Sequence, residues 1–275
     1  MSLGPFDLTG GPFLALYIFL LVVTVAGGLI IPHRLRPPGQ IRHVRDVDEL
    51  AYLAGGGARL EDAVVGRLLS AQALVMIGKN RFSVKSPERA ETPAERSVLA
   101  LEAPIRWREI ELALQSCIEP LEQRMITAGL LMTDEERGNV RFWSTLPYAM
   151  LITFGATKLI IGDARDRPIG YLTALVVLTV LLAVIRWFNI DRRTQAGRAA
   201  VVAARERSGR LRTAPTAPEI GMAVALFGTV VLAGSGWEDF HRLRNASGGG
   251  GGDGGSGGSD GGGGGCGGGC GGCGG

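Results

Sequence analysis

At 275 residues the chain can hold one large domain or two small ones, and its net charge of +3 is too small to single out a class of partner. A mean hydropathy of +0.20 with 46% apolar residues is too high for a soluble chain that ends in a glycine string, so the apolar residues must be concentrated elsewhere. Four cysteines, three of them in the last ten residues, exclude a disulfide framework that would staple a core.

From the N-terminus, Phe13 to Ile31 is 19 residues without a charge, bounded by Pro12 and Pro32. At helical rise it spans roughly 28 Å, close to the ~30 Å hydrocarbon core of a bilayer. A cleaved signal peptide needs a positive leading region, whereas Met1 to Pro12 has only Asp7 as a charged side chain. Residues 1–32 are therefore read as a membrane anchor. His33, Arg34, Arg36, Arg42, His43 and Arg45 follow it, and no basic residue precedes it. The positive-inside rule places the N-terminus outside and the next domain in the cytoplasm.

Residues 45–145 change to amphipathic patterning. Val47, Leu50, Ala51, Leu53 and Ala54 fall at helical spacing and stop at Gly55-Gly56-Gly57; Leu60, Val64, Val65, Leu68 and Leu69 continue as a second apolar face. Residues 73–84 read as strand, turn, strand, with Gly78 to Asn80 supplying the turn. Helix, helix and hairpin sketch a winged-helix unit. A looser second unit follows: helices opening at Pro93 and at Trp107, then Gly129–Met132 paired with Asn139–Trp143. Winged helices often bind DNA, but Arg45 to Arg141 carries 13 basic and 16 acidic side chains, a net of −3. Only Arg59, Arg67, Lys79, Arg81 and Lys85 make a modest basic patch, so a protein partner is expected and nucleic acid is not. Cys117 reads as a small buried hydrophobe.

Two further apolar runs, Leu146–Ile161 and Ile169–Ile185, flank a short neutral link and form a transmembrane hairpin over 146–190, with Lys158 near its outer end. The Arg-rich stretch 191–219 is expected on the cytoplasmic side; Arg186 to Arg212 alone holds eight arginines against Asp191 and Glu206. It can also rest on anionic headgroups. Residues 220–237, uncharged up to Trp237, are expected to form a fourth membrane segment, which would put the tail outside.

The tail, 248–275, has 21 glycines, two serines, two aspartates and Cys266, Cys270 and Cys273. With no apolar side chain to bury, it reads as disordered. Thiolates are soft ligands, so these three cysteines are candidate Cu(I) or Zn(II) ligands and equally candidate sites of covalent modification. Their spacing matches the cluster-binding cysteines of radical SAM enzymes, but no barrel sequence surrounds them. No paired-histidine motif, phosphate loop or triad occurs, and an enzyme is not expected.

Four segments carry a resemblance: Glu49-Leu50-Ala51-Tyr52-Leu53-Ala54-Gly55-Gly56, Arg167-Pro168-Ile169-Gly170-Tyr171-Leu172, Arg193-Thr194-Gln195-Ala196-Gly197-Arg198 and Ala223-Val224-Ala225-Leu226-Phe227-Gly228. Over about residues 13–275 the chain resembles a family of uncharacterised bacterial membrane proteins that end in a glycine/cysteine-rich low-complexity tail. The resemblance implies membrane location and the tail, and brings no catalytic residues. Some members are encoded near iron-dependent enzymes that modify peptide cysteines, which implies a modified or copper-binding tail; this tail has fewer cysteines than the family pattern.

The expected architecture is mainly α: a multi-pass helical protein of the cell membrane with a small cytoplasmic winged-helix-like (α+β) domain and a disordered Gly/Cys tail. Its expected partners are the lipid bilayer and a protein or cysteine-modifying enzyme. The expected function is non-enzymatic, acting through the tail; the alternative is a membrane-tethered regulator or adaptor.

Overall fold

The computed structural model describes residues 10–40, 42, 44–78, 80–163 and 170–246. The chain is mainly helical, with one small three-stranded sheet.

Helix α1 (Gly10–Leu35) covers the apolar run expected to be an anchor. Helix α2 (Val47–Ser70) starts at Asp46, whose side chain accepts from the Asp48 N–H, and bends at the expected glycines. Gly56 has φ of +70°, a conformation that L side chains avoid, so the helix breaks here. The expected hairpin follows. Strand β1 (Leu74–Met76) pairs antiparallel with β2 (Arg81–Val84), Leu74 opposite Val84 and Met76 opposite Phe82. Helix α3 (Pro93–Leu99) opens on a capping box, in which Thr92 accepts from the Glu95 N–H and Glu95 accepts from the Thr92 N–H. A short strand β3 (Ile105–Arg106) adds to the far edge of β2, and helix α4 (Trp107–Thr127) continues from it.

Here the chain departs from expectation. Asn139–Trp143 is not a strand: residues Asp134–Asp163 form one long helix, α5, and Leu131 instead bridges to Arg193. The reason is a second capping box. The Thr133 hydroxyl accepts from the Glu136 N–H and the Glu136 carboxylate accepts from the Thr133 N–H, with Asp134, Glu135 and Glu136 filling the first turn. The second winged-helix-like unit therefore does not form.

Helix α6 (Gly170–Phe188) returns alongside α5, and α7 (Gln195–Arg207) lies across α2. The second departure is the expected fourth membrane segment. Residues Ile220–Phe227 form α8, a helix of only eight residues, closed by Gly228 and followed by a single 3-10 turn at Thr229–Leu232. Eight residues reach about 12 Å, far short of a bilayer. This run is apolar all round because protein surrounds it: Ala223, Val224, Ala225 and Leu226 are wholly buried, and α8 packs along α2. The Arg-rich stretch and this run thus belong to the same body as residues 45–128. Helix α9 (Glu238–Ala246) is the last described element.

Two apolar clusters result. The larger joins α2, the sheet, α3, α4, α7, α8 and α9 around Leu60, Val64, Phe82, Ile110, Val224 and Phe240. The smaller joins α1, α5 and α6 through Phe13, Tyr17, Leu21, Leu151 and Leu172. In this three-helix bundle the outward face of α1 is as apolar as the inward one. Phe13, Tyr17, Leu21, Thr24 and Gly28 form one inward stripe, while Ile18, Phe19, Val22, Val23, Leu29 and Ile30 are 48–64% exposed. Small residues permit the contact: a Cβ on Gly155 would stand 2.8 Å from the Tyr17 ring. Thr179 donates to the Leu175 carbonyl, so the Tyr17 hydroxyl is the donor in its 3.0 Å bond to Thr179. Two of these helices, α1 over Gly11–Leu35 and α6, are long and apolar enough to cross a bilayer.

Candidate functional site

The bundle meets the domain at a neck built from three distant pieces of chain. Backbone N–H groups of Gln195 and Ala196 donate to the carbonyls of Pro37 and Pro38, and the Gln195 amide donates to the Arg36 carbonyl. Thr194 caps α7 by accepting from the Gly197 N–H, while its hydroxyl donates to the Gly129 carbonyl at 2.8 Å. Gly197 is required here, because a Cβ at this position would collide with the Leu130 carbonyl.

At the centre of the neck stands Asp191. It accepts from Arg193 at 3.0 Å and Arg198 at 2.9 Å and pairs with Arg36 at 3.4 Å. Burial opposes its ionisation, but the backbone N–H and guanidinium of Arg193, with the charge of Arg36, outweigh burial and hold its carboxyl down to about 2. Burial pushes the Arg36 guanidinium below its usual value, with Asp191 opposing. Beside this hub Arg192 pairs with Glu122 at 2.8 Å, and Tyr52 donates to the same carboxylate. The motif Arg193–Arg198 is thus the joint between the two bodies.

The second charged centre anchors the root of the tail. Arg244, 2% exposed, pairs with Asp62 and lies 4.0 Å over the Trp107 ring; Phe240, one turn earlier, is wholly buried. Burial pushes the Asp62 carboxyl up to about 6, Arg244 opposing. Burial, then the charge of Glu111, pushes Glu61 up to about 7. A third centre, Arg67, holds Asp48 and Glu95, each at 2.8 Å.

The candidate ligands Cys266, Cys270 and Cys273 lie outside the described residues, as do His43, Lys79 and the link at 164–168. Among the described residues no group of three or more His, Cys, Asp or Glu side chains is arranged to hold a metal ion. Cys117 is half-buried against the main core, its Sγ 3.5 Å from the Ser97 hydroxyl, beside a cavity of about 330 Å³ bounded by Leu60, Pro93 and Leu121. His241 contacts Thr229 at 3.2 Å and Asn245 at 3.0 Å. Two of the five cations of the modest basic patch are taken up inside the fold, Arg59 at 4% exposed and Arg67 as the ion-pair centre just described, while Arg81 and Lys85 are exposed. The neck and the Asp62–Arg244 pair were not anticipated. The only trace of the latter is an acidic pair, Glu61-Asp62, inside an otherwise apolar helical face.

No protein family, no curated protein and no solved structure matches this chain.

Proposed function

We propose that this chain is a multi-pass, non-enzymatic membrane protein that carries its thiol-bearing tail on the cytoplasmic side. Helix α1, the apolar half of α5 and α6 form the membrane part. The domain, winged-helix-like in its first helix–hairpin unit, lies inside, and the N-terminus outside. Cys266, Cys270 and Cys273 take a soft metal, Cu(I) or Zn(II), or receive a covalent modification from a cysteine-modifying enzyme.

The observation that carries the reading is the pair of long helices whose outward faces are apolar, since contiguous apolar faces of this size are unstable in water. The orientation is supported by Arg34, Arg36, Arg141 and Arg186 at the domain end of the bundle. The side of the tail is supported by α8 and α9. The run once expected to carry the chain outward is folded into the domain, and α9 leaves from that same body.

Labelling of intact cells with a membrane-impermeant maleimide, in a variant with Cys117→Ser, tests the topology. The tail thiols are expected to react only after lysis; labelling of intact cells overturns the arrangement. Intact-mass and elemental analysis of protein from its native host tests the chemistry, and unmodified thiols with no bound copper or zinc overturn it.

A second reading, a membrane-tethered adaptor acting on a protein partner, is favoured by the helix–hairpin unit. Capture of one stoichiometric partner by the chain lacking 248–275 supports it over the tail reading. The bait must keep residues 191–246, because α8 fills the domain core.

A further inference from the structure

Strand β1 is an outer strand of the sheet, and its free side borders a trough. The Ile77 N–H donates to the Arg81 carbonyl and the Lys85 N–H to the Ala73 carbonyl, which fixes how β1 bonds to β2. In an antiparallel ladder the residues between such pairs turn their main-chain groups the other way. The N–H and C=O groups of Leu74 and Met76 therefore point away from β2, and no described residue hydrogen-bonds to them there.

Two cavities of about 380 and 520 Å³ lie along this edge and share Met76 and Asp239, so they form one trough. Val75, on one face of the strand, and Leu74 and Met76, on the other, line the same cavity. The space therefore opens at the edge of the sheet and not on either face. Its opposite wall is Trp237 and helix α9, through Asp239, Leu243 and Ala246. An unpaired strand edge facing a helix across a gap is the geometry that receives an extended peptide as an added strand. Two charges of opposite sign, Lys85 and Asp239, also line it, and neither forms an ion pair with a described residue.

The occupant follows from what borders the trough. The tail departs at Ala246, at one end of it, but glycines bring no side chain to an apolar wall and cost the most to order. A second folded copy would bring its own α9 to an edge that one α9 already flanks. A segment with no covering helix meets neither obstacle.

We infer that the β1 edge and α9 bind an extended segment of a partner protein, added beside β1 as a fourth strand. Its apolar side chains, at alternate positions, lie against Met76, Trp237 and Leu243; an acidic residue faces Lys85 and a basic one faces Asp239. This deepens the adaptor reading above and rests on it.

A displayed library of peptides about seven residues long, selected on the full-length chain in detergent, tests this. Enriched sequences are expected to alternate apolar with polar residues and to carry one acidic residue. Methylating the backbone nitrogens of such a peptide in turn is expected to weaken binding about tenfold at alternate positions, where the N–H faces β1, and little in between. Lys85→Glu is expected to weaken binding roughly threefold, and replacing the peptide's acid by lysine to restore it. Lys85 is exposed, and the methylation series uses the native chain, so it stands even if the variant misfolds. No enrichment, or losses at consecutive nitrogens, overturns the inference. Enrichment on a chain ending at Ala246 but not on the full-length chain assigns the trough to the tail. Self-association abolished by Val75→Lys assigns it to a second copy, and either result overturns the partner. A captured partner that excess peptide does not displace overturns this inference and leaves the adaptor reading standing; neither partner nor peptide bound overturns both.

Discussion

Arg244 and Asp62 form a buried ion pair whose worth is seen when one partner is removed. Arg244→Ala leaves a carboxylate 2% exposed with only the charge of Arg59 acting on it, and breaking a buried pair in this way typically costs up to about 3–5 kcal/mol. A denaturant midpoint shifted by less than a third of that would mean the pair is dispensable. Glu61 behaves differently because no described residue forms an ion pair with it and the charge of Arg244 only partly opposes burial. Its carboxyl titrates at about 7 in the fold against 4.5 ordinarily, so the folded chain binds this proton more tightly than the unfolded one. Stability is therefore highest below the ordinary value and declines as pH rises toward 7, and Asp62 acts in the same direction. Glu61→Gln is expected to flatten the loss seen between about pH 5 and pH 8 and to gain on the order of 2 kcal/mol at the upper end. Parallel pH–stability curves for the two proteins would refute this.

At the scale of elements, α8 decides between two pictures of residues 220–236. Val224 is wholly buried against α2, whereas Val230 is 61% exposed. Val224→Asp is expected to unfold the domain, since a buried unpaired charge exceeds the few kcal/mol available. Val230→Asp is expected to shift stability by no more than about 0.5 kcal/mol. Tryptophan fluorescence in denaturant separates the two; equal tolerance of both would restore a lipid-facing segment. What the sequence revealed of these elements follows their physics. The first helix–hairpin unit was legible because its periodicities and its glycines at 55–57 and 78 are local signals. The long apolar helix α1 was legible from the 19 uncharged residues at 13–31. The strand expected at Asn139–Trp143 does not form because alternation there is weak and the Thr133–Glu136 cap is the stronger local signal. The 220–236 run misled for a different reason: composition cannot distinguish lipid from protein as the surroundings of an apolar helix. The pairs Asp191–Arg36 and Asp62–Arg244 join residues 155 and 182 apart in the chain and leave no local trace.

At the scale of the whole molecule, the domain is discontinuous. Its core draws on α2 to α4 before the α5–α6 hairpin and on α7 to α9 after it, and the neck ties both pieces to α1. A chain ending at Glu219 is expected to keep α1, α5 and α6 but to leave the buried face of α2 uncovered. It should aggregate or be degraded, whereas a chain ending at Ala246 should melt like the full-length protein. Comparable yields and melting of the two by size exclusion and thermal scanning would contradict the shared core.

That division has a consequence for biosynthesis. The ribosome delivers α2 well before α8, and both helices of the α5–α6 hairpin emerge in between. Leu60, Val64 and Leu68 must therefore wait, without their native cover, until two more long helices have been made. If the chain inserts as proposed, completion of the domain is in this way coupled to membrane integration, and a nascent chain that fails to insert is left with a greasy groove for quality control to find.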